Sequence, residues 1–251
     1  MPAFEKPQTG NPHQLTVNQH CFPSSCIERF CNHSGTVEVK LKSSKTSFGA
    51  LPSNKVFCAK RAWDQRAESG YMLSIENEYR DFANQIIGSD LNVVAAKDNS
   101  IVSAMYCLWS LRESMRDAEI DEGPIPGVVG LSVEYSKDDM EFLEKNHIGS
   151  IRPDFSFPAR HITGALIQLR LNRCLRDLKG TKWHLIYSSD VEFAVPDSSL
   201  NRMILPLTPS LCFYHEYERT TLDGVTDVRA FNRISVQESS RYSFARDFSK
   251  T

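Results

Sequence analysis

Residues 161–187 read HITGALIQLRLNRCLRDLKGTKWHLIY, and the hydrophobic period changes inside them. From His161 to Leu178 the apolar positions suit a helix, which Lys179-Gly180 ends. From Trp183 to Tyr187 the run is short, aromatic and branched, as in a strand. Further strand-like runs follow at Glu192 to Val195, Met203 to Leu207 and Leu211 to Tyr217. Pro206 and Pro209, in PLTP, fit a sheet edge or bulge. Asp197 after Pro196 is a natural turn residue. Residues 233–247 read as a closing helix.

Upstream, helices dominate. Pro23 can open a short helix within Cys21 to Phe30, because the N–H it lacks is not needed there. Val37, Val39 and Leu41 alternate with Glu38, Lys40 and Lys42 as a half-buried strand, with a return strand around Thr46 to Leu51. Ile75, Tyr79, Phe82 and Ile86 recur at helical spacing, with Gly88 at the C-cap. A second helix is predicted from Asn99 to Arg116, with Ile101, Met105, Leu108 and Trp109 on one face. Ser136 and Asp139 approximate a capping box for a short helix whose apolar side is Met140, Phe142 and Leu143. Residues 121–130 and 151–160 read as irregular. Helices first and strands later predict an α+β fold in one domain. The helix-rich N-terminal two thirds should pack on an antiparallel sheet formed largely by the C-terminal third. Residues 1–12, with three prolines and Gly10, read as a flexible arm, and residues 13–251 as the globular unit.

The composition is that of an ordinary globular domain: 251 residues, 41% hydrophobic and 24% charged. The net charge is −2, so no global basic field advertises nucleic acid, although a local basic groove remains open. No stretch reaches the roughly 18 apolar residues of a membrane helix, so no membrane partner is expected. The polar N-terminus carries no apolar signal core, which points to the cytoplasm. Seven scattered cysteines fit reduced thiols better than a disulfide framework. Oligomeric state is not readable from the chain.

Two runs concentrate chemistry: His13 to His33, and Phe57 to Tyr79. Cys21, Cys26, Cys31 and His33 invite a zinc reading. Their gaps of four, with no second close pair, fit structural zinc poorly, and small core residues are the plainer reading. Histidine as a residue type can act as a general acid or base near neutral pH, so His13 and His20 could move protons, although a lone histidine is more often a hydrogen-bonded structural residue. Trp63, Arg66 and Glu68 precede the helix that carries Glu76 and Glu78. Glu76, at the edge of an apolar face, needs a partner if buried, and Arg61 or Arg66 is available. That pair could be structural, pinning loop to helix, or Glu76 could handle a proton or a metal ion with His20. There is no phosphate-binding glycine loop, GxSxG elbow or HExxH.

In chain order there is a His, an Ile-x-x-Phe helix and Gly-Thr-Val-x-Val. A Trp and Glu then precede an Ile-Glu helix, and Trp-x-Leu-Arg follows. Phe-x-Val-Pro-Asp, PLTP, an Asn and Tyr-x-Phe-Ala complete the series. This series resembles the bacterial domain of unknown function 4238 family, from about residue 11 to residue 246. Matching positions include His20, Phe30, Trp63, Glu68, Glu76, Arg112, Asp197, Asn232 and Phe244. Members usually place a Pro and an aromatic soon after the His, and here Pro23 follows Cys21-Phe22. The resemblance implies no activity, but it groups His20, Glu76 and Asp197, from three distant segments, as a composite site.

The sequence therefore predicts a cytosolic bacterial or phage-encoded enzyme acting on a phosphodiester of RNA or DNA, in the setting of phage–host conflict. His20 would be the acid or base, with Glu76 and Asp197 as carboxylates that orient it or hold a metal. Arg66 and Arg112 would neutralise phosphate, and Trp63 and Asn232 would line the substrate site. No cofactor is demanded; Mg²⁺ is compatible with the carboxylates. The alternative is a non-catalytic protein-binding module, such as a component or inhibitor of a bacterial defence system. Its interface would be an apolar patch around Phe213, Tyr214 and Tyr217.

Overall fold

A computed structural model of the chain describes residues 4–44, 46–88, 94–124, 127, 134–198, 203–215 and 228–251. The N-terminal half begins with β1 (Asn18–His20), α1 (Ser24–Glu28), β2 (Val37–Leu41), β3 (Ser47–Ala50) and β4 (Cys58–Lys60). Helices follow: α2 (Gln65–Ala67), α3 (Leu73–Ile87), α4 (Asn99–Met115), α5 (Lys137–Lys145) and α6 (Ala159–Asp177). Then come β5 (Trp183–Tyr187), β6 (Val195–Pro196), β7 (Ile204–Thr208), β8 (Leu211–His215), α7 (Val228–Glu238) and β9 (Tyr242–Ala245). The fold is α+β, and all its strand pairs are antiparallel.

Local signals place these elements. Pro23 caps α1, Gly88 ends α3, and the Ser136–Asp139 capping box is complete at α5. Val37 and Val39 of β2 are buried, as their alternation requires. The strands form a two-stranded ribbon β1-β4, a four-stranded sheet β3-β2-β9-β6 and a three-stranded sheet β5-β8-β7. Among the described residues, five of nine strands come from the C-terminal third, but the N-terminal hairpin β2–β3 joins the largest sheet through β9. Pro206 lies beside a register shift in β7, an edge strand, where a missing ladder donor is tolerated.

Helix α4 is the axis of the core. It buries residues on nearly every side, among them Val102, Met105, Leu108, Trp109 and Arg112. Such a helix must be enclosed by neighbours. It packs against α3 and α6. Trp109 meets Phe22 at 4.9 Å between ring centroids, and Phe22 leads to Phe244 of β9. Tyr106 meets Trp183 of β5, whose indole N–H donates to Ser103. Tyr79 and Phe82 of α3 pack on Phe213 of β8.

Four expectations need correction. Residues 242–245 are a strand, not the end of a closing helix, because β9 pairs with both β2 and β6 and long-range pairing overrides the local pattern. The patch expected on a strand edge at Phe213 and Tyr214 is buried: β8 is the middle strand of its sheet, Tyr79 and Phe82 of α3 cover Phe213, and His184 packs on Tyr214; Tyr217 lies outside the described residues. Helix α5 buries Glu141 and Glu144 and exposes Phe142. Arg61 and Arg160 both donate to Glu144 Oε2, at 2.7 and 2.8 Å, and Gln8 donates twice to Glu141, so the acidic face has partners. Finally, Cys107 of α4 and Cys174 of α6 form a disulfide, while Cys21, Cys26, Cys31, Cys58 and Cys212 are free. Residues 4–12, read as an arm, carry contacts to the body: besides the Gln8 bonds, Arg152 pairs with Glu5 at 3.2 Å.

Candidate functional site

The site begins with a defect in a helix. Between α2 and α3 the helical path breaks within Glu68–Met72, where Gly70 takes a non-helical conformation (φ −98°, ψ −113°). Glu68 before this kink, and Met72 and Glu76 after it, all approach Arg112. Arg112 donates to Glu76, approaches Met72 Sδ at 3.4 Å and stands 3.9 Å from Glu68 Oε2. Its guanidinium is 1% exposed, whereas Glu68 and Glu76 are 18% and 23% exposed. The charge is therefore sealed in α4, and the carboxylates reach from it toward the surface. Trp63 completes the setting: its indole N–H donates to Glu68, and its ring lies 5.5 Å from the Arg112 guanidinium carbon.

Burial pushes the Glu68 carboxyl above the ordinary range, with Arg112, the Trp63 hydrogen bond and His20 pulling the other way. His20 is half-buried at the end of β1, opposite Cys58 of β4. Its Nε2 lies 2.9 Å from the Pro52 carbonyl oxygen, which can only accept. In the neutral ring Nε2 therefore carries the hydrogen, and Nδ1 holds the lone pair. A carboxyl whose pKa burial raises thus lies near an imidazole whose Nδ1 holds a lone pair. This arrangement can both give and take a proton.

The sequence-selected residues divide. His20, Trp63, Glu76 and Arg112 gather around Glu68. Arg66 is 48% exposed and stands 3.5 Å from Asp64. The Asp197 carboxylate instead accepts from the backbone N–H groups of Ser240, Arg241 and Tyr242. Burial raises its pKa against those three bonds. The Asn232 amide clips Ala194 N–H and Glu192 C=O, at 2.8 and 2.7 Å, so both its ends are engaged by backbone. The partner of Glu76 is Arg112, not Arg61 or Arg66: Arg61 serves Glu144.

The first chemical run disperses. Burial pushes the Cys26 thiol up to about 12 and the Cys21 thiol up as well, so neither offers a thiolate at neutral pH. Cys31 and His33 line a separate surface cavity of about 630 Å³ with Glu38, Arg246, Asp247 and Lys250. Among the described residues no group of three His, Cys, Asp or Glu could hold a metal ion. No helix among them is long and apolar enough to cross a membrane.

Two buried clusters escaped the sequence reading. Arg61, Glu144 and Arg160 form one. Asp64 and His161, each 4% exposed, form the other, with His161 Nδ1 3.3 Å from Asp64 Oδ2. Both join residues far apart in the chain, so no spacing announces them. Ser69-Gly70, ahead of the periodic run of α3, was the readable sign of the kink. The chain matches no protein-family model, no curated protein and no solved structure.

Proposed function

We propose that this protein is an enzyme acting on a phosphodiester of RNA or DNA, with Glu68 and His20 exchanging the protons of the reaction. The observation that supports it is the Glu68 carboxyl, raised by burial and held by Trp63 and Arg112 in the field of His20. Glu68 is poised as the acid that protonates a leaving oxygen, and His20 Nδ1 as the base that activates the attacking hydroxyl or water. Arg112 and Glu76 are positioning residues, since a guanidinium sealed between carboxylates is not offered to solvent.

The test is incubation of the purified protein with total RNA and with single- and double-stranded DNA, with and without Mg²⁺. Cleavage lost by about 10²-fold or more in both Glu68→Gln and His20→Gln, with unchanged circular dichroism, is the expected result. Substrates left intact under every condition would sink the proposal.

A further inference from the structure

A second cavity, of about 760 Å³, opens between the N-terminal segment, β4, the end of α4 and the start of α6. Its size falls in the range of small-molecule sites. The chain as a whole is acidic, at −2, yet this lining carries seven Arg or Lys against four Asp or Glu. Lys55 and Lys60 form no ion pair with a carboxylate among the described residues; Lys60 donates only to Asn18. Three of the four acids are committed, Glu5 to Arg152 and Arg160, Glu122 to Arg152 and Asp117 to Arg241, and Glu119 is exposed.

The deep wall is unusual. Arg61 is 4% exposed, and its Nε is buried with no hydrogen-bond partner. Its backbone is left-handed (φ 44°), a conformation that costs a non-glycine residue energy and is kept where surroundings impose it. Burial and the neighbouring Arg160 guanidinium push the Arg61 pKa down against Glu144 and Glu5, so two guanidiniums share the Glu144 carboxylate at this wall. Apolar groups share the cavity: Phe4, Met115 and Ile120 offer a surface for a flat ring.

We propose that this cavity binds a phosphomonoester carried on a compact apolar group, the chemistry of a nucleoside 5′-phosphate. The ligand is a free mononucleotide or the phosphorylated end of a strand. The second source rests on the phosphodiester reading; the first does not.

The experiment is calorimetric titration of the full chain with AMP, adenosine, inorganic phosphate, and a dinucleotide with and without a 5′-phosphate. The double variant Lys55→Gln/Lys60→Gln is titrated in parallel, because both side chains reach the cavity from the surface side and spare the buried wall. Expected are saturable AMP binding at least tenfold tighter than adenosine or phosphate alone, and a loss of tenfold or more in the double variant. Tighter binding of the 5′-phosphorylated dinucleotide than of AMP assigns the strand end; the reverse assigns the free nucleotide. AMP binding no tighter than adenosine or phosphate, no binding of any probe, or an unaffected double variant would overturn the proposal. AMP binding in a protein that cleaves neither RNA nor DNA would sustain it and remove the phosphodiester reading alone.

Discussion

Replacing Glu144 by Gln tests the most exposed claim about how this fold is held together. Glu144 is 2% exposed, and one of its oxygens accepts from both Arg61 and Arg160, which are 1% and 5% exposed. Gln keeps the shape and a carbonyl acceptor but removes the charge, leaving Arg61 without a carboxylate partner among the described residues and Arg160 with Glu5 alone. Breaking a buried ion pair by removing one partner costs about 3–5 kcal/mol. For a chain of this size, each kcal/mol lowers Tm by roughly 2–4 °C, so the expected fall is roughly 6–20 °C. Thermal unfolding followed by circular dichroism at pH 7 measures it. Repeating it at about 1 M salt, where the Debye length is about 3 Å, discriminates buried from exposed pairing. The Glu144 effect should persist there. The more exposed Arg152–Glu122 pair, 23% and 43% exposed, should contribute at most about 1 kcal/mol in low salt and fade. A Glu144→Gln protein within about 1 kcal/mol of the parent, or one rescued by salt, would refute the buried triad.

Glu68 carries a raised pKa, so the stability it contributes is present at low pH and lost as pH rises through its folded value. The stability of the parent relative to Glu68→Gln should therefore fall as pH climbs past 4.5, the ordinary value, and then level off; parallel pH profiles in urea unfolding would exclude this. Gly164→Ala should destabilise, against the helix-propensity trend, because the new Cβ would come 2.2 Å from Asp64 Oδ1. Overpacking of this kind costs about 1–3 kcal/mol, and a stabilised variant in chemical denaturation would contradict it. The Cys107–Cys174 bond spans 67 residues, which the chain-entropy account equates to about 4 kcal/mol. Cys174→Ala should lower Tm and make it insensitive to dithiothreitol; a parent Tm already unmoved by dithiothreitol would argue against the bond.

What the sequence determined by itself is what neighbours in the chain decide. The alternation of Val37 and Val39, the Ser136–Asp139 capping box, Gly88 after α3 and the period change after Leu178 each depend on a few adjacent residues. The elements they specify are those observed. Trp63, Glu68, Glu76 and Arg112 lie together for a related reason. A carboxylate beside an apolar face and an arginine inside a buried helix each demand a partner, whatever the fold.

Which partner they found was decided only in three dimensions. Glu76 took Arg112, 36 positions away, because α3 packs against α4. Asp197, read as an ordinary turn residue or a catalytic carboxylate, was claimed by three backbone amides more than forty positions on. Tyr242–Ala245 became a strand because β2 and β6 were there to pair with it. Helix α5 turned its glutamates inward because Arg61 and Arg160 were waiting. Burial of charge depends on what the rest of the chain supplies across the gap, and spacing along one segment carries no record of it.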